Sequence, residues 1–194
     1  MSAPWIEEPV RWNARVGWII APLLLVLGLG VFLQAILGES TSLRAVGWVF
    51  LLAATAEGVA GILVNRNERS GTPFMVGGVL TVFFGVYVVT RLADKPHAIA
   101  MLLALFLVMN GVFRALELAI EHPRSWPTEL LYVVTAFVVA GILFSDWKFA
   151  SARLVAACVG VELLARGVAL WGGARAAQET GARGPWLGRR PIVF

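Results

Sequence analysis

Charge is scarce in this chain. Asp, Glu, Lys and Arg together make up 14% of its 194 residues, where a soluble domain carries about 25%. Hydrophobic residues account for 59% and the mean hydropathy is +0.79. That balance excludes an ordinary soluble domain and places the chain in a bilayer. Cysteine is nearly absent. The single Cys158 excludes an intramolecular disulfide, and its position within an apolar run reads as a small packing residue. Histidine is limited to His97 and His122, which fall near opposite boundaries of the expected topology and so cannot share a metal. There is no Gly-rich phosphate loop, no CxxC and no HExxH, and no Ser/His/Asp arrangement can be argued. The sequence therefore reads as a non-enzyme with no metal site and no expected cofactor. A lipid or pigment in an apolar groove is left open. The net charge of +4 does not point to nucleic acid, because the basic residues mostly lie in loops that flank apolar runs.

Six such runs are present, each near the roughly 20 residues that cross the hydrocarbon core as a helix. They are Val16–Leu37, Leu43–Val64, Thr72–Leu92, His97–Ile120, Thr128–Phe144 and Ala150–Ala174. Polar or Pro-bearing breaks separate them, including NRNERSG, ADKP, EHPRSWP and SDWK. Only helices satisfy their backbones within runs of this kind. The expected fold is all-α, a bundle of six transmembrane helices over about 16–175. An interfacial arm (1–15) precedes it and a basic tail (176–194) follows. The arm is polar and the run after it is too long for a signal-peptide core, so no cleaved leader is expected. More Arg falls on the side of Arg11, Arg15, Arg66, Arg69, Arg124 and the tail than on the other. Both termini are thus expected in the cytoplasm, in a bacterial inner membrane. Trp5, Trp12 and Trp186 lie toward that boundary. With Arg189 and Arg190 they form arms suited to lipid headgroups or to a protein partner.

What charge there is falls inside the apolar runs in a pattern. Asn110, Arg114, Glu117 and Glu121 follow spacings of four, three and four, which put them on one helical stripe. Glu162 and Arg166 are four apart on the sixth helix, in register for an ion pair. Glycines recur at a fixed interval: Gly28, Gly85 and Gly141 in the odd helices, Gly58, Gly111 and Gly167 in the even ones. The unit is a helical hairpin of about 55 residues, repeated at about 16–66, 72–121 and 127–175. The residue before each even-helix glycine is polar: Glu57, Asn110 and Arg166. An acid, an amide and a base at equal depth are expected to meet where glycines let even helices approach. Among Glu57, Glu117, Glu162, Arg114 and Arg166 one acid is left without a counter-charge, and such a carboxyl is expected to respond to protons.

The hairpins, the mid-helix glycines and the entry Lys95-Pro96-His97-Ala98 resemble the HdeD-like family of small bacterial membrane proteins. The even-helix segments LLAATAEGVAGIL, LFLVMNGVFRALELAI and VGVELLARGVAL are similar to that family's repeated helix. The resemblance covers about Val16 to Arg175. It implies a six-helix fold and an association with acid resistance, and it brings no catalytic motif. Two other functions are compatible with the residues. One is an accessory subunit that docks on a larger membrane complex, or on copies of itself, through its helices and arms. The other is a small proton or ion transporter built around the charged stripe.

Overall fold

The computed structural model describes residues 14–38, 42–65, 72–92, 95–121 and 125–179, and no strand occurs among them. Trp5, Trp12, Trp186, Arg189, Arg190 and His122 lie outside the described residues. Six helices follow one another: α1 (Ala14–Leu37), α2 (Leu43–Asn65), α3 (Thr72–Tyr87), α4 (Pro96–Glu121), α5 (Trp126–Ser145) and α6 (Ala152–Glu179). Their limits sit where the sequence supplies a reason. At the end of α1 the Gly38 N–H donates to the Gln34 carbonyl at 2.9 Å. Pro127 opens α5, where a missing N–H costs nothing. A π-helical turn, Val88–Leu92, extends α3, and a short 3₁₀ turn, Trp147–Phe149, joins α5 to α6. The final helix runs five residues past Ala174. The segment Ala176–Glu179 belongs to it rather than to the tail, in keeping with the helix propensity of Ala, Gln and Glu.

Among the described residues, four stretches are long and apolar enough to cross a membrane: Gly17–Leu37, Pro96–Ala119, Trp126–Ser145 and Ala152–Ala176. The last is set apart, with 61% of its most apolar window buried against 33–39% in the others. Helix α6 is therefore the axis of the bundle, and the two charged residues in its middle, Glu162 and Arg166, are enclosed by protein. The outer faces carry Ile19, Val26, Phe83, Phe113 and Val138 in the open. Such exposure is costly in water and costless against lipid tails. The fold is that of a helical membrane protein.

Packing pairs the helices as α1 with α6, α2 with α3, and α4 with α5, and α5 also lies along α6. Each of the first three pairs joins an even helix to the odd helix that follows it, with the last closing on the first. Close contact between α1 and α6 depends on missing side chains. A Cβ on Gly28 would stand 2.9 Å from the Leu164 backbone nitrogen, and one on Gly160 would stand 2.8 Å from that of Phe32. Gly160, Gly167 and Ala174 recur every seven residues on α6, which keeps one narrow seam against α1. Gly17 meets Ala174 at one end of this seam and Gly28 meets Gly160 further along, so the two helices run antiparallel.

The expected role of the glycines needs correction. Gly167 approaches Leu25 and Ala21 of α1, Gly85 approaches Leu51 of α2, and Gly111 lies against the Phe137 ring of α5. None of these three contacts joins two even helices. Gly58 and Gly141 face open space. Spacing alone finds a helix position but not the neighbour it meets.

The core splits by chemistry. Toward the end where α2 and α4 begin, Phe50, Phe84 and Phe106 from α2, α3 and α4 form a ring cluster. Their centroids lie 5.0, 5.9 and 5.3 Å apart. Each such pair adds about 0.5–1.5 kcal/mol beyond the area it buries. Leu103, Leu107, Leu143 and Val159 fill the space around it, all essentially inaccessible.

Candidate functional site

Polar side chains that are buried among the described residues number five: Glu57, Thr81, Glu129, Glu162 and Arg166. Four of them belong to a pair of linked ionic groups. In the deeper group, Arg166 of α6 lies between two carboxylates. Its Nη1 donates to Glu57 Oε2 of α2 at 2.7 Å, and its Nη2 donates to Glu162 Oε1 one turn back on α6. The second contact is the i,i+4 pair that the sequence spacing prescribes. The first crosses between two even helices. From α5, the Tyr132 hydroxyl donates to the same Glu162 Oε1 over 3.5 Å, and the Arg166 guanidinium sits 6.0 Å from the Tyr132 ring centre. Glu162 Oε1 thus receives two donors while Glu162 Oε2 is buried without a hydrogen-bond partner.

A second group repeats the pattern one helix away. Arg114 of α4 lies 3.3 Å from Glu117 Oε2 on its own helix and 3.7 Å from Glu129 Oε2 on α5. Both groups therefore set one guanidinium among two carboxylates. Helix α5 connects them, because Glu129 and Tyr132 are three residues apart and share a face. Four carboxyls, Glu57, Glu117, Glu129 and Glu162, stand against two guanidiniums.

Of the residues singled out by sequence, Glu57, Glu162 and Arg166 come together, and Arg114 and Glu117 form the neighbouring set. Asn110 is half-buried on α4 and joins neither. Its equal depth with Glu57 and Arg166 does not bring it into contact, since α4 turns its polar stripe toward α5. Sequence reasoning missed Glu129 and Tyr132. Glu129 stands in the first turn of α5, where an acid normally reads as a favourable helix start. A signal was available: on α5 the spacing Glu129–Tyr132–Ala136 marks the face that is buried.

The arrangement gathers ionisable side chains inside the bundle. No nucleophile is paired with a base among the described residues. No group of three or more His, Cys, Asp or Glu side chains able to hold a metal occurs among them. In comparisons with known proteins, the chain matches no family model, no curated protein and no solved structure.

Proposed function

We propose that this chain is a non-enzymatic, proton-responsive protein of the bacterial inner membrane that acts in acid or stress resistance, as its HdeD-like resemblance implies. One observation carries the reading. Arg166 is divided between Glu57 and Glu162, and one oxygen of the fully enclosed Glu162 has no partner. Holding an uncompensated carboxylate away from water costs several kcal/mol even after relaxation. A proton taken up by Glu162 removes that cost, and its release restores it. The two states differ by one charge at the axis of the bundle, where a shift in pairing is felt by α2, α5 and α6 together.

The test is survival of cells that carry Glu57→Gln or Glu162→Gln in place of the native residue. Gln keeps the shape and removes the titration. Acid survival is expected to fall while protein amount in the membrane and elution in mild detergent stay unchanged. Unaltered survival with both variants present at native levels would sink the proposal.

A further inference from the structure

The acidic and basic groups are not spread evenly through the bundle. Counting helix rise from the ends that lie on the side where α4 ends and α5 begins (Ala119, Trp126 and Ala176 of the apolar spans, and Asn65 of α2), Glu117 lies about 3 Å, Glu129 about 4.5 Å and Arg114 about 7.5 Å inside the boundary. Tyr132 follows at about 9 Å, Glu57 at about 12 Å, Arg166 at about 15 Å and Glu162 at about 21 Å. The most open side chains belong to the outer group and the most enclosed is the deepest. The side chains of Glu117 and Arg114 are 26% and 23% exposed, those of Glu129, Glu57 and Arg166 are 9%, 10% and 7%, and that of Glu162 is 1%. Polar groups thus lead from one membrane face to a little past the middle and stop at Glu162.

Past Glu162 the chemistry changes. The remaining ten residues of α6 rise about 15 Å to the opposite boundary. They present Val155, Ala156, Cys158 and Val159 to the core, with Arg153 exposed at the far end. Around them stand the Phe50–Phe84–Phe106 cluster and Leu143. A dry, apolar constriction of this kind excludes water and ions. A proton needs a chain of polar groups or water to move through a membrane interior.

We infer that the buried network exchanges protons with only one side of the membrane, the side where α4 ends and α5 begins, and that the apolar half beyond Glu162 prevents their passage across. The inference rests on the proton-responsive reading and makes it directional, so that the protein senses the acidity of one compartment and does not conduct. The groups that face Glu162 are Glu57 from α2, Tyr132 from α5 and Arg166 from its own helix. Cys158 lies one turn beyond it on α6, and the stretch Gly17–Leu37 of α1 contains no Asp, Glu, Lys, Arg or His. The Glu117–Arg114–Glu129 group forms the entrance.

The experiment uses the full chain, sealed into vesicles in one orientation, with the carboxyl C=O stretch followed by infrared difference spectroscopy after an acid step. Acidifying the α4/α5 side is expected to evoke a carboxyl band, and acidifying only the other side is expected to evoke none. The band is lost in Glu162→Gln, and reduced in Glu57→Gln should the first variant fail to fold. Proton flux equals that of protein-free vesicles. A band evoked from the opposite side, or flux above that background, overturns one-sided access while leaving a proton-responsive protein. Absence of any carboxyl band from either side overturns the proton reading itself.

Discussion

Arg166 holds the centre of the molecule with two carboxylates, and its removal leaves both without a counter-charge in a space that water does not reach. Loss of one partner from a buried pair costs about 3–5 kcal/mol, whereas replacing the whole set with apolar side chains is often neutral or stabilising. Arg166→Met is therefore expected to destabilise the protein by about that amount, and the triple replacement Arg166→Met, Glu57→Leu, Glu162→Leu to recover most of it. Unfolding in mixed micelles, followed by circular dichroism, measures both. Glu117→Gln, made at a side chain one-quarter exposed, is expected to cost less than about 1 kcal/mol in the same assay. If the single Arg166 variant were as stable as the native protein, the network would contribute nothing to the fold. Helical periodicity made part of this site legible beforehand. Glu162 and Arg166 are four apart, and a helix leaves them no choice but to be neighbours. The contact of Arg166 with Glu57 spans 109 positions and depends on how α2 leans on α6. Sequence spacing placed the two at one depth without fixing the contact. Tyr132 carried no signal of its own, because an aromatic residue near the start of a span reads equally well as part of an interfacial belt.

At the scale of the helices, the seam of α1 against α6 distinguishes glycines that the fold requires from those it tolerates. Gly28→Leu would drive a side chain into the α6 backbone and is expected to loosen the pair by about 1–3 kcal/mol or more. Gly58→Ala and Gly141→Ala, where nothing stands within reach, are expected to be neutral or to stabilise by about 0.5–1 kcal/mol through better helix propensity. Thermal unfolding in detergent of the three variants side by side gives the comparison. Equal losses at all three positions would mean that the glycines act through the backbone alone. The helices themselves were plain in the sequence, with limits within a few residues of those observed. Proline, polar breaks and run length settle such boundaries locally. Which helices pair was not plain, because every run offers small residues on more than one face.

For the whole molecule, the antiparallel seam puts the start of α1 and the end of α6 at one end of the bundle. Reporter fusions at the two termini are expected to report the same compartment. From the excess of Arg on that side, the compartment is expected to be the cytoplasm. Opposite signals from the two fusions would exclude the arrangement. With this orientation the entrance formed by Glu117, Arg114 and Glu129 faces the cytoplasm. On the proposed reading, the acidity that the protein responds to is then that of the cell interior.

The pairing of the first helix with the last also bears on how the molecule is made. A ribosome releases α1 well before α6 exists, so α1 enters the bilayer with its glycine face unmatched. Domains otherwise tend to assemble in the order of synthesis. Here the first segment waits for the final one, and Arg166 arrives with that same final segment. Until then Glu57 has no counter-charge. A chain cut short before α6 lacks both closures at once, which gives quality control a clear mark by which to recognise an unfinished copy.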